Sequence, residues 1–373
     1  MNTLIVVVVG LAGVFMQSLY AFSRFLAMRT MFGINRVFST KGEISLIRMS
    51  IRVASLAALV AFSLPVLEAA AQQSVPPAPA QEPSAPAPAG APVFPKPDPA
   101  NFTAASPTKE TVNAFLQMSW GYDERRVWQV QAILKTQVEG ISKVVIYVGD
   151  KTGTQKPTAL QFFFLPDGKH IIAGDEILPF GEHPYAEYRA QLQQRADGPY
   201  RGSASKDLEI VEFADFQCPH CKDAQANMDK LAVDFPKARI VFQNYPLPQH
   251  PAAANAAAYG ICVTKQGGSN AFFTFAAAVF DGQDGLASAD GATLTLNSAV
   301  TKAGLDPAKI AACAATPAAS AQVEAAVKLA KDLNINQTPT LVVNGRQLPL
   351  GGVPYETIKQ IVQFQAKLDG VAQ

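Results

Sequence analysis

Hydrophobic and polar positions divide the chain into four stretches of different character. From Lys109 onward, Glu110, Val112, Phe115 and Leu116 fall on one face of a helix. "SKVVIYVGD" alternates Val144, Ile146 and Val148 and predicts a strand. "LQFFFLPDGKHIIAGDEI" predicts two strands joined at Pro166-Asp167-Gly168, a turn-forming triplet. Residues 109–200 are therefore expected to form a small α+β domain, a helix before an antiparallel sheet. Beyond Gly202, "DLEIVEFAD" predicts a buried strand and a helix follows from about Pro219 to Val233. "ARIVFQNYPL" predicts a second strand, and an Ala-rich stretch from about Ala252 to Leu333 predicts several helices with Gly and Asn breaks. "TPTLVVNGRQLPLGG" predicts a hairpin turning at Asn344-Gly345, and "PYETIKQIVQFQAKL" a closing helix with Pro354 near its start. The order in 201–373 is βαβ, a helical insert at about 250–333, ββ and α, an α/β (α+β) domain.

The N-terminal stretches follow other rules. Met1 to Phe22 is apolar and nearly long enough to span a bilayer. A second apolar run, Val53 to Leu67, follows Arg52 and precedes small residues at Ala69, Ala70 and Ala71, the layout of a secretory signal cleaved after Ala71. In one reading, 49–71 is the signal, Met49 is the start and 1–48 is an over-extended upstream segment. In the other, 1–48 carries a membrane anchor, and the basic residues Arg24, Arg29, Arg36, Lys41 and Arg48 hold the intervening loop in the cytoplasm. Both send everything after Ala71 across the membrane, to a periplasmic or otherwise exported location. From 72 to 108, Pro and Ala dominate, so this stretch is expected to be an extended linker. A Pro-rich recognition ligand is the rival reading.

Composition narrows the function. Apolar residues make up 49%, enough for real cores, and 31 Lys+Arg nearly balance 30 Asp+Glu. A basic patch for nucleic acid is not expected. Four cysteines are too few for a disulfide scaffold. His170 and His183 read as turn or surface residues.

Two of those cysteines stand in "FADFQCPHCKDA". Cys218 falls where a strand ends and a helix begins, and the unpaired N–H groups and positive dipole end there stabilise a thiolate. Pro219 takes the first helical position, where its missing N–H costs nothing. Cys218 and Cys221, three apart, share a helical face and can bridge, and His220 adds a donor or positive charge nearby. A stable thiolate is a good leaving group, so such a disulfide is readily reduced. A zinc site needs more ligands than one CxxC supplies, a copper thiolate site would suit Cys with a nearby His, and an inert staple is the third alternative.

"VEFADFQCPHCK" resembles the active-site segment of the DsbA-type thiol–disulfide oxidoreductases of the thioredoxin superfamily. "NQTPTLVVNG" is similar to that family's cis-proline loop. The resemblance implies a thioredoxin fold with a helical insertion, preceded here by the small α+β domain and the Pro-rich linker. It nominates Pro339 as cis, Thr338 beside it as a client-binding residue, and Glu212 as the buried acid that exchanges protons with Cys221. It implies a structural disulfide between Cys262 and Cys313 in the insert. His250 is read as capping or orienting the first insert helix, without a catalytic role. Cys218 is expected to be the solvent-facing nucleophile and Cys221 the resolving thiol, with no cofactor beyond the cysteine pair and no metal.

A weaker resemblance links "FFFLPDGKHIIAGDEI" to the N-terminal domain of DsbC/DsbG-type isomerases, which implies a homodimer through 109–200. The partners implied are unfolded or cysteine-containing client proteins and a membrane redox partner, DsbB- or DsbD-like. Rival functions are a DsbC/DsbG-like isomerase or reductase and, from another class, a metal-binding or chaperone module without redox turnover.

Overall fold

The computed structural model describes residues 94–154 and 156–371. The readings of 1–71 as anchor or signal, and of most of the linker, lie outside these residues. Among the described residues, no helix is long and apolar enough to cross a membrane.

The linker reading is corrected at its end. From Asp98 the chain is built into the first sheet rather than extended. Asp98 caps a 3-10 turn at Pro99–Asn101, Phe102 bridges to Ile133, and Phe102 and Ala104 pack on the first core. An apolar ring next to a sheet removes more surface from water than a solvated coil does, so the chain docks there.

The first layer is helix α1 (Lys109–Trp120) against an antiparallel sheet in the order β1 (Arg126–Lys135), β2 (Ser142–Asp150), β3 (Thr158–Phe164), β4 (His170–Ala173), β5 (Glu176–Pro179). Thr108 caps α1 through its side chain. Val112, Phe115 and Leu116 are buried against Val144, Ile146, Phe162 and Phe164, and Glu110 stays exposed in the first turn. The two strands expected in "LQFFFLPDGKHIIAGDEI" are three. Gly174 at φ 66 turns the chain after Ala173, so that Glu176 pairs back onto it.

The second sheet has the order β10–β9–β7–β8–β6. β7 (Glu209–Ala214) pairs in parallel with β8 (Arg239–Asn244) through helix α3 (Pro219–Asp234) and antiparallel with β9 (Thr340–Val343). β10 (Arg346–Pro349) closes one edge and β6 (Tyr200–Gly202) the other. The hairpin turn is Asn344-Gly345, with φ of 45 and 91. A Cβ on Gly345 would meet the Tyr185 carbonyl oxygen at 2.3 Å, so this glycine serves both the turn and a close backbone approach.

β7 is buried along its whole length, and its side chains alternate between two cores. Ile210 faces α3 and the closing helix α8 (Tyr355–Leu368), among Met228, Leu231, Ile358 and Val362. Val211 and Phe213 face the other side, with Leu192 and Ala196 at the end of α2 (Ala186–Arg195) and Leu329 of α7 (Pro317–Asp332). The boundary read at 200 therefore moves. α2 already packs on the second sheet and β6 pairs with it, so the second core begins near Ala186.

The insert consists of α4 (Ala253–Asp281), α5 (Ala289–Lys302), α6 (Pro307–Ala314) and α7. Its core is aromatic, with Phe216 and Phe242 from the sheet region against Phe272, Phe275 and Phe280. Gly268, at φ 75, breaks α4 into two segments. Cys262 and Cys313 are joined by a disulfide that ties α4 to α6 across 51 residues.

Candidate active site

The cysteine pair stands on a helix start built by local sequence. Cys218 is the N-cap residue of α3, with extended backbone, and Pro219 occupies the first turn. The Cys218 N–H donates to Asp215 O at 3.1 Å, and the Cys218 carbonyl accepts from Cys221 N and Lys222 N. Both cysteines are free and buried.

The expectation of a solvent-facing Cys218 is corrected, because only 5% of the residue is exposed. The loop before Pro339 covers it, and Cys218 Sγ lies 3.6 Å from Thr338 O, the acceptor of its protonated form. The Thr338–Pro339 peptide is cis, and the Thr338 side chain, with its Oγ1 buried, lies beside Cys218. Pro219 and His220 are exposed and form the accessible rim of the pair.

The two sulfurs are electrostatically unlike. The Cys221 thiol, hydrogen-bonded to Cys218, holds Cys218 down to about 5 against the opposing effect of burial. The Thr338 side chain and the N–H groups of Cys221 and His220 add to this. Cys221 is driven far above the ordinary thiol range by burial, then by its bond to Cys218. The Asp215 N–H opposes that rise, donating to Cys221 Sγ at 3.4 Å. Cys218 is therefore the ready thiolate, and Cys221 keeps its proton.

Glu212 sits under the pair. Its place on β7 turns it toward α3, where Gln225 Nε2 donates to Glu212 Oε1 at 2.9 Å and to Cys221 O at 3.0 Å. Burial pushes the Glu212 carboxyl up to about 7, and its charge in turn raises Cys221. A carboxyl that titrates near neutrality beside a thiol that must shed a proton fits acid–base work.

Several residues at the site carry no motif. Gln283 Nε2 donates to Phe216 O at 2.9 Å and to Cys218 O at 3.0 Å, latching the insert to the loop. Gln217 returns the contact, accepting from Ala252 N at 2.8 Å and donating to Leu286 O at 3.2 Å. The His250 side chain does not cap α4, although the His250 carbonyl accepts from Ala253 N at 3.1 Å. Its Nδ1 lies 2.8 Å from Asp215 Oδ2, directed at the cysteine loop. Asp215 lies inside the quoted motif, and its role is hidden because two of its partners, Leu247 N and His250, stand in the segment that leads into the insert. His170 and His183 lie outside the cysteine site, and His170 pairs with Asp167 in the turn before β4 at 2.6 Å. Cys262 and Cys313 are structural in position, within or against the insert core. Among the described residues, no group of three or more His, Cys, Asp or Glu could hold a metal ion.

A cleft of about 1090 Å³ opens between the first sheet and the proline loop. Trp120, Leu160 and Ile177 line one wall and Tyr188, Asn336 and Gln337 the other. The lining reaches the residues on both sides of Thr338–Pro339, and Cys218 is not part of it.

Comparison with known proteins gives the following likenesses. The family model described as thioredoxin matches residues 194–363. A sodium/proton antiporter, NhaA 3 of Salinispora tropica, is 30% identical over 148 residues, which are 39% of this chain and 22% of that protein. NhaA 1 of Mycolicibacterium vanbaalenii is 30% identical over 149 residues, 39% of this chain and 23% of that protein. The chain thus spans under a quarter of the length of these curated relatives. A solved thioredoxin-like oxidoreductase from Silicibacter pomeroyi is 25% identical with a TM-score of 0.41, covering 48% of this chain and 98% of that one. DsbA2 of Pseudomonas aeruginosa is 26% identical with a TM-score of 0.39, covering 45% and 93%.

Proposed function

We propose, on the premise that the C-terminal region of this chain is a DsbA-type domain of the thioredoxin superfamily, that the protein is an exported thiol–disulfide oxidoreductase acting on client proteins. The observation that carries this reading is the asymmetry of the pair. Cys218 is held down to about 5, whereas Cys221 is pushed above the usual thiol range.

In the oxidising direction, a client thiolate attacks Cys218 of the Cys218–Cys221 disulfide. The sulfur–sulfur bond breaks, a client–Cys218 disulfide forms, and Cys221 leaves and takes up a proton. A second client thiolate then attacks the client sulfur, the client disulfide forms, and Cys218 leaves as the thiolate its surroundings favour. Two electrons pass from the client to the pair. Thr338 and Pro339 would align the client backbone beside Cys218, and Glu212 would exchange the Cys221 proton. A membrane quinone-coupled or thiol-coupled partner would restore the pair. The export reading rests on the apolar runs ahead of Ala71 and on the oxidising compartments where such pairs work.

The reduction potential against glutathione tests the direction. A value near ~−120 mV supports the oxidant and one near ~−270 mV a reductant. Loss of exchange in Cys218→Ser is expected, and full activity in that variant would overturn the reading in favour of a module without redox turnover.

The cleft between the first sheet and the proline loop favours a second reading, a DsbC/DsbG-like isomerase in which residues 109–200 help hold a misfolded client. A dimer through that region and recovery of scrambled substrates would support it.

A further inference from the structure

The exchange steps use two sulfurs, Glu212 and the proline loop, and leave the buried carboxylate next to the cysteine loop unexplained. Asp215 is 1% exposed. Its Oδ1 accepts from Gln217 N at 2.7 Å, and its Oδ2 accepts from Leu247 N at 2.8 Å and from His250 Nδ1 at 2.8 Å. Burying a carboxylate is costly unless donors surround it, and here two of the three donors come from the segment that leads into the insert. The main chain of the same residue faces the cysteines. Its N–H donates to Cys221 Sγ at 3.4 Å and its carbonyl accepts from Cys218 N at 3.1 Å. Asp215 thus has its side chain anchored to one element and its peptide groups on both cysteines.

We propose that Asp215 and His250 are a positioning pair for the resolving thiol, fixing the peptide plane that aims the Asp215 N–H at the Cys221 sulfur. The inference rests on the redox reading and adds residues to it. During resolution of a client–Cys218 disulfide, Cys221 gives up its proton and attacks Cys218. The Cys218–Cys221 bond forms, and the client sulfur leaves as a thiolate. Negative charge passes through the Cys221 sulfur, and the Asp215 N–H is already directed at it. A donor placed in advance costs no reorganisation at that moment. The same donor favours the reduced pair, because Cys221 shares the negative charge of the Cys218 thiolate through their hydrogen bond, and a hydrogen bond to charged sulfur is stronger than one to a disulfide sulfur.

The side-chain geometry separates this role from packing. An Asn at 215 has one acceptor oxygen, and its NH2 would face either Leu247 N–H or Gln217 N–H, so Asp215→Asn loses part of the anchor without loss of volume. At 250, an Asn amide can replace the Nδ1 donor, whereas Ala cannot.

The test compares His250→Ala, His250→Asn and Asp215→Asn with the wild type in the full chain. The rate of resolution of a preformed peptide–Cys218 mixed disulfide, the potential against glutathione, the alkylation rate of Cys218 and the melting temperature are measured. For His250→Ala and Asp215→Asn, resolution is expected to slow about tenfold or more, since small displacements of a reacting group have large effects. The equilibrium should shift toward the disulfide by about tenfold, ~30 mV more negative. Alkylation of Cys218 should stay within about twofold of the wild type, and His250→Asn should recover most of the resolution rate. Unchanged resolution and potential in His250→Ala, with a lowered melting temperature alone, would reduce the pair to structural packing and overturn the proposal. If the wild-type pair itself does not exchange, it is the redox reading that fails.

Discussion

Cys218 Sγ lies 3.6 Å from the carbonyl oxygen of Thr338, a contact between residues 120 apart in sequence. It places the nucleophile beneath the proline loop, where a client strand would have to lie to be attacked. Alkylation of the reduced protein is expected to follow a single ionisation near pH 5, with Cys221 unreactive. In Cys221→Ala the hydrogen bond that does most to hold Cys218 down is removed, so the midpoint should rise by about one unit or more. The sign for stability follows from the depressed value. The thiolate contribution is fully present above the ordinary 9.0 and is lost as pH falls through about 5. The reduced protein should therefore lose stability relative to the oxidised one on acidification toward pH 5. A midpoint near 9 would remove the basis for the oxidising reading.

Glu212 titrates in the opposite sense. Burial raises its carboxyl from 4.5 to about 7. A raised group contributes stability that is fully present below 4.5 and lost as pH rises through 7. Glu212→Gln removes that loss, so at pH 8 the variant should be more stable to urea by about 3 kcal/mol, with no gain near pH 4. Proton exchange with Cys221 should suffer at the same time. The rate of mixed-disulfide resolution is expected to lose its pH dependence around 7 and to fall by about tenfold or more. An unaltered pH profile would return Glu212 to the role of a buried strand residue.

What could be read from the chain, and what could not, divides along contact distance. The cysteine pair, its helix start and the Asn344-Gly345 turn depend on residues within a few positions of one another, so local chemistry exposes them. Glu212 and Pro339 were reached only through resemblance to a family, because nothing local distinguishes a strand glutamate facing a core from one facing water. Gln283 on the Cys218 carbonyl, His250 on Asp215 and α2 on the second sheet are long-range contacts without a sequence period. β1 was missed for a related reason. Its burial changes from half-buried at Arg126–Gln129 to buried at Val130–Ile133, with a register shift between Val130 and Ala132. A strand that carries a bulge loses the strict alternation by which strands are recognised.

The Cys262–Cys313 bond closes a loop of 51 residues inside the insert. Chain-entropy reasoning gives such a closure about 4 kcal/mol. Cys262→Ala/Cys313→Ala should lower the melting temperature, while leaving the glutathione potential of Cys218–Cys221 near its wild-type value below the transition. The insert contacts the active-site loop through Gln283 and Gln217, so turnover should fail at lower temperature than in the wild type. Equal melting curves would mean that the aromatic core around Phe272 holds the insert unaided.

Arg346 joins the two domains. It is 5% exposed, and its guanidinium donates to Ser119 O at 3.0 Å, to Met118 O, and to Gln365 Oε1 at 3.0 Å. The first two are carbonyls at the C-terminal end of α1, where the helix leaves acceptors unpaired and the dipole is negative. The Tyr185 ring packs 4.6 Å from the guanidinium. A cation on β10 is thus spent on the helix of the other domain, at one end of the cleft. Arg346→Met keeps much of the apolar volume and leaves those carbonyls without their charged donor, a loss of roughly 1.5–3 kcal/mol per bond. Residues 94–179 should then detach more readily. Limited proteolysis is expected to cut between β5 and α2, and the heat-absorption peak should split in two. The cysteine pair sits on the other sheet, so exchange with a small disulfide should persist. Recovery of scrambled protein substrates should fall if the cleft holds them. Retention of one cooperative transition in Arg346→Met would show that the remaining interface suffices to dock the domains.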